Sequence, residues 1–206
     1  MKTHELRGRH ARRRVVTTDS SQTHSPCENL LEQDFSATAP NQKWVGDITC
    51  IGTREGWLYL AVVIDLFSRQ IIGWSSSDSL ERGGVLRAHR MAIDRRRPVA
   101  GLISHSDRGS QYNSQEYRSL LSENGIRQSM SRRGNCYDNA VAESCFGTIK
   151  RELEDDIFET PQAARTAIFQ YIEIYFNRQR LHSTLGYKTP IAFEAAAAIP
   201  QQPCVH

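Results

Sequence analysis

Three carboxylates stand in places where local structure alone does not ask for them. "WVGDITCI" reads as a strand, yet Asp47 lies in its middle, on one face with Val45, Thr49 and Ile51, although aspartate is a poor strand former. "GLISHSDRGSQY" starts as an apolar strand and stops on Asp107, fenced by His105, Ser106, Arg108, Gly109 and Ser110. Glu143 belongs to "AVAESCFGTIKREL". On a helical wheel Val141, Ala142, Cys145, Phe146, Ile149 and Leu153 fill an apolar arc there, while Asn139, Glu143, Gly147 and Lys150 form the opposite stripe. Each acid has a plain structural explanation: an exposed strand position for Asp47, a side-chain turn for Asp107 and a favourable helix dipole for Glu143. Brought to one place they would do more. Three hard oxygen donors without nitrogen or sulfur select Mg²⁺ or Mn²⁺ over zinc. Two such ions, roughly 3.5 to 4 Å apart, would activate an attacking oxygen and stabilise the leaving oxygen of an in-line phosphoryl displacement.

The elements needed to position these groups are legible as patterns. "WVGDITCI", "WLYLAVVID", "QIIGWS" and "GLISHS" read as strands joined by "TREG" and "LFSR" turns, and "IRQSM" is a candidate fifth. The second run is apolar almost throughout, which suits a strand covered on both faces. Val85, Leu86, His89, Ala92 and Ile93 recur at helical spacing, as do Tyr117, Leu120 and Leu121. A later helix opens with Thr160 as N-cap and Pro161 at its first position and runs to about Asn177. Hairpin strands followed by alternating helices and strands imply an α/β fold, a mixed sheet with helices on both sides. A first strand carrying Asp47 beside a parallel strand ending on Asp107 sets two acids side by side, and a crossing helix supplies the third. Gly147 supports this reading, because glycine inside a helix costs about 1 kcal/mol against alanine. Its missing side chain would let a bulky ligand approach, with Lys150 one turn on to meet negative charge.

Bulk properties agree with a nucleic-acid partner without requiring one. The 206 residues carry a net charge of +3, but the first twenty hold Lys2, Arg7, Arg9, Arg12, Arg13 and Arg14 against Glu5 and Asp19. That suits a polyanion-binding arm or a solubilising tail equally. Five cysteines without a C-x-x-C pair argue against a disulfide framework or a zinc site and suit a reducing cytoplasm. No apolar run approaches a membrane span. Residues 1–40 are read as a largely extended arm, in which "ENLLEQDF" forms at most a short turn and order begins at Trp44. Residues 41–178 are read as the core, and 179–206 as a basic loop, short helix and tail.

"WVGDIT", "GWLYLAVVIDLFSRQIIGW", "HSDRGSQYNS", "SMSRRGNCYDNAVAESCFGTIKRE" and "YFNRQRLHSTLGYKTP" closely resemble the bacterial insertion-sequence transposases with a retroviral-integrase-like catalytic core. The likeness runs from about Asn41 to Glu194. It includes the family's spacing of 35 residues between the second acid and the glutamate, and a basic residue, Lys150, seven beyond that glutamate. The resemblance implies an RNase H-like fold with a five-stranded mixed sheet. It assigns Asp47, Asp107 and Glu143 as the catalytic, metal-binding triad for Mg²⁺ or Mn²⁺, two ions being expected. It implies cleavage of double-stranded DNA at element ends and 3′-hydroxyl strand transfer into a target, by a homo-oligomer assembled on DNA in the cytoplasm or on the nucleoid. Full-length members carry an upstream helix-turn-helix region, of which only a basic trailing edge is recognisable here. A partner or fusion from an upstream reading frame is therefore expected. Cys145 replaces an aromatic residue frequent in the family.

Further DNA contacts are expected from Arg132, Arg133 and Asn135 before the catalytic helix, and from Lys150 on it. Arg178, Arg180 and His182 are balanced between phosphate contact and a basic loop packed through Leu181, Leu185 and Tyr187. His105 reads as a structural histidine. Two other functions use the same residues: a plain RNase H-like nuclease, or a catalytically silent DNA-binding or assembly-inhibiting fragment.

Overall fold

The computed structural model describes residues 27–153 and 157–198; the basic residues of the expected N-terminal arm and the extreme C-terminal tail lie outside these. Three antiparallel strands come first, β1 (Lys43–Thr53), β2 (Gly56–Asp65) and β3 (Ile71–Ser77). They are joined by the two turns the sequence predicts. Helix α1 (Arg82–Arg96), β4 (Ile103–Ser106), α2 (Gln115–Glu123) and β5 (Arg127–Met130) follow. A 3₁₀ turn at Cys136–Asn139 leads into α3 (Ala140–Glu152), which carries Glu143. Two-residue β6 (Ile157–Phe158), α4 (Pro161–Phe169) with a π-helical continuation through Phe176, and α5 (Pro190–Ala198) complete the order. Thr160 caps α4 by accepting from Ala163 N–H at 3.2 Å, as its sequence position predicts.

The sheet order is β3-β2-β1-β4-β5, with β6 pairing the far end of β1. Strand β4 lies parallel to β1 and to β5, which the intervening helices make possible. This is the mixed α/β sheet expected, with β6 added. Alternation along β1 divides the core. Ile51, with Leu58, Leu60, Val62, Phe146, Ile149 and Ile168, packs under α3 and α4. Trp44, with Ala61, Val63, Val85, Ala88, Tyr112 and Tyr117, packs under α1 and α2. The apolar run of β2 contributes to both faces, which explains its lack of alternation. At Gly73 a Cβ would stand 2.1 Å from the Ala88 carbonyl, so α1 crosses β3 against bare backbone.

Order begins earlier than the sequence reading placed it. Leu31 is 1% exposed and packs with Val45, Leu66 and Ala142. Met130 N–H donates to the Glu28 carbonyl, and Leu30 N–H to Ser129 Oγ. "ENLLEQDF" therefore docks against β5 through one apolar anchor and backbone pairing, a signal too short for periodicity to reveal.

Candidate active site

Strands β1 and β4 end their pairing together. The last registered partners are Gly46 and Ser106, so Asp47 and Asp107 follow on neighbouring strands, about 4.8 Å apart in ordinary sheet geometry. Beyond that point β1 runs on with no β4 beside it until β6 pairs Gly52 and Thr53. Both carboxylates are half-buried at this opening. Asp107 also makes the plain structural bond expected of it: its Oδ1 accepts from Gly109 N–H at 2.9 Å. Burial pushes the Asp107 carboxyl above the usual range, and the Gly109 bond partly offsets that.

Asn139 ties the helix that carries Glu143 to Asp47. It occupies the N-cap position of α3 but makes no side-chain cap bond, although capping by asparagine is typically worth about 1 kcal/mol. Its amide instead donates to Asp47 Oδ2 at 2.9 Å, and its Oδ1 is buried without a partner. Glu143 lies one turn further on, on the same stripe of α3, and is exposed. Gly147 follows, and a Cβ there would meet nothing within 4 Å. Helix α3 lies along this stretch of β1, its Phe146 and Ile149 packing with Ile51 on the face opposite the Glu143 stripe. Asn139 was on the predicted stripe, but nothing in sequence distinguished it from an ordinary helix cap.

Asp47 and Asp107 are adjacent, and Glu143 is one helical turn from the Asp47 anchor. Among the described residues, however, no three histidine, cysteine or acidic side chains stand grouped as a ready metal cage. The donor chemistry still fits a hard cation, since the side chains of Asp47, Asp107 and Glu143 offer carboxylate oxygens alone. His105 is not one of them: its ring is fully buried between Ser129 Oγ at 2.8 Å and Ser131 Oγ at 3.1 Å. Burial pushes its pKa down to about 4.

The basic candidates separate by their partners. Arg132 pairs with Asp138, which is fully buried and also accepts from Asn29 and Gln33. This node, whose ion pair holds Asp138 well below the usual carboxylate range, joins the N-terminal segment to the loop before α3. Asn135 accepts from Tyr137 N–H and shapes the 3₁₀ turn. Arg180 grips Glu152 at the end of α3 with two bonds of 2.7 and 2.8 Å, and Tyr171 donates to the same carboxylate. His182 packs edge-on against Phe176 at 4.9 Å, half-buried, with its pKa pushed down to about 4 first by burial and then by Arg180. Arg133, Lys150 and Arg178 are exposed.

An integrase core domain model matches residues 37–136, and a second integrase core domain model matches residues 124–190. The transposase for insertion sequence element IS904 of Lactococcus lactis is 52% identical over 167 residues, covering 81% of this chain and 66% of that protein. The IS600 uncharacterized 31 kDa protein of Shigella sonnei is 46% identical, covering 91% and 70%. Transposase InsF of IS3A from Escherichia coli K12 is 49% identical, covering 81% and 58%. The chain thus spans roughly two thirds or less of the length of most of these relatives. Among solved structures, a simian T-cell lymphotropic virus intasome chain aligns with a TM-score of 0.66 at 19% identity, over 89% of this chain and 62% of that one. The HTLV-2 integrase catalytic core in complex with magnesium aligns at 0.57 and 19%, over 77% and 99%. At that identity the likeness establishes a shared fold, the RNase H-like one. With two core models spanning residues 37–190 and insertion-sequence proteins near half identity, the chain belongs to the integrase-core family of bacterial insertion-sequence transposases.

Proposed function

We propose that this chain is the catalytic core of a metal-dependent DNA transposase that cleaves strands at element ends and joins the released 3′ hydroxyls to a target phosphodiester. The observation that carries the reading is the convergence of β1, β4 and α3: Asp47 and Asp107 follow the last paired residues of adjacent strands, and Asn139 fastens the Glu143 helix to Asp47. Asp47, Asp107 and Glu143 would hold Mg²⁺ or Mn²⁺, two ions by the chemistry of phosphodiester exchange, as the magnesium-bound HTLV-2 core suggests. Bound there, the metal supplies an activated attacking oxygen and charge stabilisation at the leaving oxygen. The chain's own residues do the rest. Asn139 orients Asp47, Gly109 N–H orients Asp107, and Gly147 leaves the helix face open to a DNA backbone.

Lys150, Arg133 and Arg178 are the proposed phosphate contacts, being exposed cations, the first two on α3 and the loop before it and the third on the turn after the π-helical segment. Arg132 and Asn135 shape the preceding loop, while Arg180 and His182 fasten the C-terminal loop to the core. The partner is double-stranded DNA, bound by a homo-oligomer. An upstream helix-turn-helix segment, fused or separate, would supply end recognition. No described helix is long and apolar enough to cross a membrane, and action at the nucleoid in the cytoplasm follows from the proposed substrate.

The test uses pre-cleaved element ends and a supercoiled plasmid target with Mn²⁺, comparing wild type with Asp107→Asn. Joined products lost in the variant support transposase chemistry. Nicks without joining favour a plain nuclease, and equal behaviour of both proteins favours a silent DNA-binding fragment.

A further inference from the structure

Residues 28–33 reach both the strand that carries Asp47 and the helix that carries Glu143. Their polar contacts converge on Asp138, the residue before Asn139. The Asp138 carboxylate is fully buried, and five hydrogen bonds end on it. Three come from Arg132, through its backbone N–H at 2.8 Å and its guanidinium at 3.1 and 2.9 Å. The other two come from the N-terminal segment, with Asn29 Nδ2 and Gln33 Nε2 each donating at 3.0 Å. Neighbouring side chains at the start of α3 thus face two ways: Asp138 holds the segment, and Asn139 holds Asp47.

An ordinary surface turn does not need this arrangement. Glu32 and Gln33 have φ of 47° and 64°, a left-handed conformation that side chains disfavour and that persists where the surroundings impose it. Asn29 Oδ1 accepts from the Leu31 and Glu32 N–H groups at 3.0 and 2.9 Å, so the Asn29 amide is aimed before it meets Asp138. Between these two anchors Leu31 turns inward, into a cluster with one residue from each side of the site. Val45 lies two positions before Asp47, on the same face of β1. Ala142 immediately precedes Glu143 on α3. The segment therefore holds β1 and α3 beside the two acids with an apolar wedge and a charged anchor. Protein interiors are close-packed, so a displaced wedge passes its shift to both elements.

We propose that Asp138 is a positioning residue through which docking of residues 28–33 sets Glu143 against Asp47, so that docking of the segment and cation binding at the triad reinforce each other. Such coupling is reciprocal: if the docked segment strengthens cation binding, a bound cation must hold the segment down. The inference rests on the reading of Asp47, Asp107 and Glu143 as cation ligands, and the test separates the two. Wild type is compared with Asn29→Ala/Gln33→Ala, with Gln33→Ala alone and with Glu143→Gln, all as the 206-residue chain. The measurements are Mn²⁺ titration followed by electron paramagnetic resonance, melting in chelator, and amide hydrogen exchange of residues 28–33 with and without Mn²⁺. The double variant is expected to bind Mn²⁺ about 10-fold more weakly, the lower end for groups that orient metal ligands. Gln33→Ala, at an exposed position that tolerates the change, is expected to bind more weakly than wild type by a smaller factor. Mn²⁺ is expected to slow exchange across residues 28–33 in wild type and not in Glu143→Gln. The exchange measurement on wild type needs no substitution, so it decides even where the double variant fails to fold. If exchange in the segment ignores Mn²⁺, or the double variant melts lower yet binds Mn²⁺ as wild type does while Glu143→Gln does not, the segment is a structural tie and the proposal fails alone. Equal Mn²⁺ binding by wild type and Glu143→Gln overturns the carboxylate site itself, and the coupling with it.

Discussion

Asn139 donates its side-chain amide to Asp47 Oδ2 at 2.9 Å, across 92 residues of sequence. The bond sits where α3 begins, so the placement of Glu143 is set by the first acid of the proposed triad and not by the helix cap. A residue at the cap position whose side chain reaches a strand carboxylate links two elements of the proposed triad directly.

Replacing Asn139 with alanine is therefore expected to do more to chemistry than to folding. The hydrogen bond it removes involves a charged acceptor, worth roughly 1.5–3 kcal/mol, and loss of an orienting group of this type costs about 10- to 100-fold in activity. The check is a cleavage rate under saturating Mn²⁺ alongside a melting curve. A normal rate in a destabilised protein would reduce Asn139 to a structural tie.

Arg180 and Arg178, two positions apart, are expected to behave differently. Arg180 and Glu152 hold each other with side chains only 19% and 26% exposed, and the guanidinium also lies 5.8 Å from the Phe176 ring centre. Arg180→Ala should destabilise the chain by roughly 1–3 kcal/mol, and Glu152→Gln should do so to a similar degree. Neither should change how DNA affinity varies with salt. Arg178→Ala and Arg133→Ala should leave the melting point alone and lower the salt-dependence slope by about 1 each. A reduced slope for Arg180→Ala would return that residue to the DNA surface.

How far these roles could be read beforehand depended on the kind of signal each residue leaves. Asp47 and Asp107 were legible because acids interrupt strand patterns, and the parallel β1–β4 pairing followed from strands separated by a helix. The α3 stripe was equally clear, since 3.6-residue periodicity reports which face is buried. Asn139 was placed on that stripe but not recognised, because an asparagine at a helix start has an ordinary capping role. Arg180 and Glu152 lie 28 residues apart, and no local pattern records a pairing that depends on where a helix ends in space. For the same reason Leu31 escaped notice: the few apolar residues of "ENLLEQDF" make too short a run to reveal a period, and the burial of Leu31 is decided by the pocket it meets beside Val45 and Ala142.

Stability is expected to fall with acid before any carboxylate in an ion pair is protonated. His89 is buried against the Val85 carbonyl, Ser104 and Tyr117, and burial pushes its pKa down to about 4 from an ordinary 6.5. The folded state thus favours the neutral ring. Its contribution is complete above about pH 6.5 and is lost as pH drops toward 4, at roughly 1.4 kcal/mol per unit. Asp65 and Asp107, whose carboxyls burial pushes up, act in the opposite sense and soften the fall. Melting points measured from about pH 7 to about 4.5 should decline, with a shallower slope in His89→Gln. A flat profile for wild type would mean that the ring is not held neutral.

Gly147 gives the sharpest opposition between folding and function. It lies inside α3, is exposed, and has open space where a Cβ would project. Alanine there should stabilise the helix by about 1 kcal/mol, which for a chain of this size raises the melting point by roughly 2–4 °C. Among the described residues nothing opposes the change. Yet the added methyl would stand on the stripe shared by Glu143 and Lys150, where the proposed DNA backbone approaches. Gly147→Ala is therefore expected to be more stable and at least several-fold slower in strand joining, with bulkier Gly147→Leu slower still. If both variants join strands at the wild-type rate, DNA does not pass over this face of α3, and the route of the substrate past Glu143 must lie elsewhere.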